Sequence, residues 1–264
     1  MTMSDYAVRN VVKEKLARNE VVASMTVRLT RSVEIARLAK TAGFDSLYVD
    51  LEHSSLSLET TSQICVAALD VGIAAFVRVP QLELVQRVLD GGALGIIVPD
   101  VRNAAQAREA VKAAKYPPLG ERGYGSGLAQ FGFRSPPATE HYRVLNAATM
   151  VIVQFESAEA IERADEIFAV EGVDMALFGT NDLTADMGIP GDYENPRVRD
   201  AYARAIAAAR KHGKHVGVGG LASRPKLTGE FVKMGARFVS TGTDLGFLLA
   251  AATENAKQVR ALET

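Results

Sequence analysis

Short apolar runs rich in β-branched residues alternate along this chain with longer segments whose apolar side chains recur every three or four positions. The runs are VVASMTV (21–27), SLYVDL (46–51), AFVRV (75–79), GIIVPDV (95–101), MVIVQF (150–155), MALFG (175–179), HVGVG (215–219) and RFVSTG (237–242). They are nearly continuous in apolar character, which is the signature of parallel strands covered on both faces. The segments between them, 33–40, 58–71, 82–89, 104–115, 158–168, 198–212, 226–234 and 245–260, have helical spacing. Ser32, Ser57, Asn103, Ser157 and Ser223 stand where a side-chain oxygen would cap a first turn. TAGFD, DVGIA, KHGKH and KMGAR each place Gly where a helix ends in the left-handed conformation.

Eight such β-α units in a chain of 264 residues predict an α/β fold of the (β/α)₈ TIM-barrel type, since a doubly wound sheet usually has five or six strands. The whole chain, 1–264, reads as one barrel domain. The segment before residue 20, with Val8, Val11, Val12 and Leu16 at helical spacing, is an extra N-terminal helix. Residues 116–149 concentrate Gly and Pro and read as a long loop insertion of the length usually kept for function or disorder.

Thirty basic against thirty-one acidic residues leave a net charge of -1, so no nucleic-acid or anionic-membrane partner is expected. No apolar run of about 18 residues predicts a membrane span, and the N-terminus lacks the apolar core of a secretion signal. The single cysteine, Cys65, sits in the apolar stretch QICVAAL as a core residue, which fits a reducing cytoplasm.

A barrel does its chemistry at the C-terminal ends of its strands, and here those ends are polar. The second run leads into Asp50, Glu52 and His53; the third carries Arg78; the fourth ends at Asp100; the fifth holds Gln154 and Glu156; Asn181 and Asp182 follow the sixth. Glu156 and Asp182, with waters and a chelating substrate, would satisfy a hard divalent cation such as Mg²⁺. The alternatives are an N-cap role for Asp182 and a first-turn, dipole-favoured role for Glu156. His53 suits a general base, or merely closes the barrel mouth. A guanidinium at Arg78 needs an anion, either a carboxylate or enolate substrate or a buried partner at Asp50 or Glu52. His141 falls in the insertion, and His212 and His215 flank a helix-to-strand turn. VGVGG, STGTD and RGYGSG lack the Lys-Ser/Thr of a P-loop and read as tight turns and a mobile lid.

YVDLEHSSLS, FVRVP, LDGGALGIIVPDV, PPLGERGYGSGLA, IVQFES and FGTNDLTADMG occur in this order. In that series the chain resembles, over nearly its whole length, the HpcH/HpaI family of class II, metal-dependent pyruvate aldolases. The resemblance implies reversible cleavage of a 4-hydroxy-2-oxo acid to pyruvate and an aldehyde through a metal-stabilised enolate, with Mg²⁺, Mn²⁺ or Co²⁺ as cofactor. It makes Glu156 and Asp182 the metal ligands, His53 the base and Arg78 the enolate stabiliser. Gln154, Asn181 and Asp182 become contacts to the keto acid. Asp90, in VLDGG, matches the carboxylate that raises the basicity of the histidine, with Asp50 its local competitor. The resemblance also implies a homo-oligomer, a hexamer of dimers that exchange their last helix. The chain departs from the family pattern at Leu51, Asp100 and Thr180-Asn181, and in a shorter turn after VRVP, all near the expected pocket, which leaves the aldehyde open. The same enolate chemistry would serve an oxaloacetate or other 2-oxo-acid decarboxylase. A non-catalytic keto-acid-binding barrel is the third reading, and the joint presence of His53, Arg78, Glu156 and Asp182 argues against it.

Overall fold

A computed structural model describes residues 6–263 of the protein. Eight parallel strands pair in chain order and close on themselves, β1 (Val22–Val27), β2 (Ser46–Asp50), β3 (Ala74–Arg78), β4 (Gly95–Val98), β5 (Met150–Phe155), β6 (Met175–Gly179), β7 (His215–Gly219) and β8 (Phe238–Thr243). The expected strands are therefore present with small shifts at their ends. The fourth stops earlier than its apolar run, because Pro99 has no N–H to donate and Asp100 turns left-handed at φ 47°.

The helices are α1 (Val11–Ala17), α2 (Glu34–Thr41), α3 (Leu58–Asp70), α4 (Val85–Asp90), α5 (Ala104–Ala114), α6 (Ala138–Ala148), α7 (Ala158–Glu162), α8 (Ala164–Phe168), α9 (Thr180–Asp186), α10 (Pro196–Lys211), α11 (Pro225–Met234) and α12 (Asp244–Arg260). Side chains of Ser57, Asn103 and Ser157 cap their helices as expected. Ser32 and Ser223 do not: Val33 precedes α2 without a side-chain cap, and α11 starts on Pro225, whose fixed φ suits a first turn. The segment 158–168 breaks at Arg163 into two short helices.

Residues 116–149 are not a loop throughout. Their second half forms α6, whose buried His141, Val144, Leu145 and Ala148 repeat at helical spacing behind the Gly- and Pro-rich stretch. A small separate core of Tyr116, Leu128, Phe131, Val144 and Leu145 holds this segment together. Inside it His141 is fully buried, its Nε2 3.0 Å from the Tyr116 hydroxyl.

One apolar layer lies between strands and helices, where Val49, Val77, Ile96, Val153 and Phe178 face outward onto Ile64, Val88, Phe168 and Phe231. A second fills the barrel with Tyr48, Phe76, Ile97, Ile152, Leu177 and Phe238, and α1 closes its lower end by inserting Val12 and Leu16. Lys15 and Lys13 of α1 then reach Asp45 (2.7 Å) and Asp174 (2.9 Å), the residues just before β2 and β6. The N-terminal segment is thus helical from Val11, while the first five residues of that expectation lie outside the described ones. At the other end of the chain α12 carries a single buried residue, Asp244, and leaves Leu245, Phe247, Leu248, Leu249 and Val259 exposed.

Candidate active site

The strand ends meet in a cavity of about 360 Å³ at the C-terminal mouth of the barrel, bordered by residues of β1, β2, β3, β5, β6, β7 and β8 and the loops that follow. On one side Asp50 ends β2 directly beside Arg78, its register partner at the end of β3. Asp50 is fully buried, and its two oxygens accept Arg78 Nε (2.9 Å), Arg78 Nη2 (2.6 Å) and Arg28 Nε (2.6 Å). The backbone N–H groups of Glu52 and His53 also donate to Oδ1, at 3.0 and 3.2 Å. Burial pushes this carboxyl upward, but the hydrogen bonds and charge of Arg78, the charge of Arg28 and the His53 N–H outweigh it and hold the group below the usual carboxylate range.

Arg78 spends its third nitrogen, Nη1, on Glu52 Oε2 at 2.8 Å and is only 3% exposed. Burial alone would lower its pKa; the Asp50 hydrogen bond and the surrounding negative groups raise it. The fork therefore sits in a buried ion pair with both acids that the sequence offered as partners, while still bordering the mouth. His53 projects more freely: its ring is 57% exposed, with Nε2 3.7 Å from Glu52 Oε2.

Across the mouth stand Glu156, just past β5, and Asp182, in the first turn of α9. Asp182 is not the N-cap of that helix, which begins two residues earlier behind Gly179. Glu156 leans over Gly179 so closely that a Cβ there would lie 2.4 Å from its Oε1, so glycine makes the room. The left-handed turn at Asp100 aims its N–H at Glu156 Oε2, 2.8 Å away. Burial pushes the Glu156 carboxyl up to about 7; the Asp100 N–H opposes this and the negative charge of Asp182 adds to it. Among the described residues Asp182 has no basic partner, and the buried amide oxygen of Gln154 has no hydrogen-bond partner. Two gathered carboxylates without a base, and an unpaired amide oxygen beside them, fit a hard cation. No group of three or more His, Cys, Asp or Glu among the described residues could hold an ion, so other ligands would have to come from substrate and water.

Asn181 borders the same cavity, its Oδ1 accepting from the Tyr193 hydroxyl at 2.7 Å. Asp90 does not join the group. It ends α4, which runs back down the outside of the barrel, and pairs with Arg122 Nη2 at 2.7 Å at the opposite end from His53. Within one chain the carboxylate nearest the His53 ring is that of Glu52, while Asp50 accepts the His53 backbone N–H. Gly219, Gly220 and the 240–242 stretch do line the mouth. Sequence reasoning missed Arg28, Tyr193 and Asp244. Arg28 had a signal, since it directly follows the first apolar run and is as much a strand-end charge as Asp50 or Asp100.

A closed (β/α)₈ barrel that gathers carboxylates, a histidine and a buried arginine at its mouth has the make-up of an enzyme of the barrel class, with its chemistry at the C-terminal strand ends. Residues 27–251 match the HpcH/HpaI aldolase/citrate lyase family, and the chain belongs to it. It is 42% identical over 262 residues to 4-hydroxy-4-methyl-2-oxoglutarate aldolase tasA of Hapsidospora irregularis, covering 97% of each chain. To 4-hydroxy-2-oxo-heptane-1,7-dioate aldolase of Escherichia coli it is 37% identical over 219 residues, 82% of each. The crystal structure of an HpcH/HpaI aldolase from Desulfitobacterium hafniense DCB-2 superposes with a TM-score of 0.88 at 34% identity, covering 94% of this chain and 96% of that one. The chain is accordingly an aldolase-type lyase.

Proposed function

We propose that this enzyme cleaves a 4-hydroxy-2-oxo acid reversibly into pyruvate and an aldehyde or oxo acid, with Glu156 and Asp182 holding a divalent cation, Mg²⁺, Mn²⁺ or Co²⁺. The cation would supply Lewis-acid polarisation of the 2-oxo group. The exposed His53 takes the proton of the 4-hydroxyl as the C3–C4 bond breaks. The bonding pair moves onto the pyruvate fragment as its enolate, C4 becomes a carbonyl, and C3 then gains a proton. Gln154, Asn181 and Arg78 border the same cavity; the two amides would orient the keto acid and the Arg78 cation would stabilise the enolate. Asp50 would support His53 only indirectly, by accepting its backbone N–H and so fixing the turn that carries the ring, with Glu52 the carboxylate nearest the imidazole.

The observation that carries this reading is the pair Glu156 and Asp182, drawn together with no ion-pair partner among the described residues and with only the more distant charge of Arg78 acting on Glu156. Among the described residues no lysine lines the mouth cavity, which speaks against a Schiff-base aldolase. Protein stripped with EDTA should release no pyruvate from 4-hydroxy-2-oxopentanoate or 4-hydroxy-2-oxoglutarate, and Mg²⁺, Mn²⁺ or Co²⁺ should restore release. Full activity in chelator, with borohydride trapping pyruvate on a lysine, would overturn it. The exposed apolar side of α12 supports a homo-oligomeric working form, a hexamer by family likeness, and the buried free Cys65 accords with the cytoplasm.

A further inference from the structure

Two guanidinium groups border the mouth cavity, and they are used very differently. Arg78 commits Nε, Nη1 and Nη2 to Asp50 and Glu52. Arg28 commits only Nε, to Asp50 Oδ2 at 2.6 Å, and its two terminal nitrogens have no partner among the described residues. An arginine carries five N–H groups, so Arg28 retains four of them on the outer fork. The side chain is 37% exposed, against 3% for Arg78.

Its placement is held from both ends. The Arg28 backbone N–H donates to Asp244 Oδ1 at 3.0 Å, and Asp244 Oδ2 accepts the next two N–H groups, of Leu29 (3.0 Å) and Thr30 (2.7 Å). Nearby hydroxyls of Thr26, Ser240, Thr241 and Thr243 line the same wall, with Thr26 Oγ1 3.2 Å from Ser240 Oγ. The closed order β1 to β8 puts β1 diametrically across the barrel from β5. Arg28 and Asp182 border one cavity, so a 2-oxo acid held by its first carboxylate and keto oxygen through a cation at Glu156 and Asp182 could extend its far end toward β1. There it meets an outer fork whose geometry suits a carboxylate held by two parallel hydrogen bonds.

We propose that Arg28 is the specificity-determining residue of this chain that reads a second carboxylate at the far end of the substrate. This rests on the aldolase reading for the identity of the near end. It goes beyond that reading in assigning the far end and the residue that recognises it.

The test uses two isosteric pairs that differ only by a carboxylate or a methyl group. For binding without turnover the pair is 2-oxoglutarate and 2-oxopentanoate, titrated by calorimetry into the Mg²⁺-loaded protein. For turnover it is 4-hydroxy-2-oxoglutarate and 4-hydroxy-2-oxopentanoate, compared by kcat/KM. The unaltered enzyme should favour the dicarboxylate in both assays, and Arg28→Leu should reduce that preference by about 10- to 100-fold, the usual worth of a charge-assisted pair. Arg28→Lys, which keeps the charge and the reach to Asp50, should retain part of the preference and shows that the loss is not one of folding. A binding preference that Arg28→Leu removes, in a protein that cleaves neither hydroxy acid, would support the Arg28 assignment while sinking the aldolase reading. Cleavage of both hydroxy acids with equal losses on Arg28→Leu would leave the aldolase reading intact and overturn the assignment, since Arg28 would then act only through Asp50.

Discussion

The two ends of the barrel are both charged, and they handle charge in opposite ways. At the lower end Asp45, Asp174 and Asp90 each meet a basic side chain, Lys15, Lys13 and Arg122, and two of them also accept a strand N–H. Lys115, nearly fully buried there, donates to the Asn146 and Thr149 carbonyls. At the mouth, one half is similarly neutralised around Asp50, but the other leaves Glu156 and Asp182 near one another with no ion-pair partner among the described residues. Charges that satisfy one another serve the fold; charges that leave a demand unmet mark the place where something else is bound.

The Asp50 cluster is where this contrast is most easily broken. Replacing Arg78 by Ala leaves a buried acid short of its main partner and should cost about 3–5 kcal/mol of stability, read as a fall in melting temperature. Arg78→Lys keeps one charge but cannot reproduce three directed bonds, and it should lose kcat as well as stability. A stable Lys variant with normal kcat would make the cluster a structural pairing like those at the lower end.

Below the barrel the expected effect is smaller and of another kind. Asp45→Ala strands the Ala23 N–H and frees Lys15, which should cost about 1–3 kcal/mol while kcat stays at the level of the unaltered enzyme. A fall in kcat at full folding would show that the two ends are not independent.

The smallest effect sharpens the comparison through pH. The ordinary carboxyl value for Glu156 is 4.5 and burial with Asp182 nearby lifts it to about 7, so in the metal-free protein the folded state holds a proton that the unfolded state has lost between those values. Metal-free stability should therefore fall as pH rises from about 4.5 to 7 and then level off. Glu156→Gln removes that slope, and its melting temperature should exceed that of the metal-free parent by a few degrees at pH 8, with little gap near pH 4.5. Parallel curves for the two proteins would show that Glu156 is not strained by its setting.

The fold was legible because each strand is a compact apolar run bounded by Gly, Pro or charge, and because Glu156, Asp182, His53 and Arg78 sit at strand ends, where the barrel dictates convergence. What was missed depended on direction. Asp90 can be placed from chain order, since it closes the helix before β4 and that end of a (β/α)₈ unit lies opposite the mouth, but the motif VLDGG draws attention to its family likeness and not to its position. The Gly- and Pro-rich start of 116–149 masked α6, whose burial is against its own small core. The engagement of all three Arg78 nitrogens is invisible in a string of residues, since Asp50 lies 28 positions away. The apolar spacing of α12 looks like that of any barrel-covering helix, yet its side chains stand exposed.

Asp244 gives that last helix an uneven value along its length. Its carboxylate is buried, takes the N–H groups of Arg28, Leu29, Thr30 and Leu245, and is held below the usual carboxylate range because these bonds outweigh the effect of burial. Of the residues that follow, Phe247 packs on its own barrel, against Phe44 and Gly242, and the rest of the helix stands exposed. Shortening the chain from its C-terminus would consequently be read in two stages, with a loss confined to whatever α12 docks against as far back as Leu248, and collapse of the first loop of the mouth once residue 244 is gone.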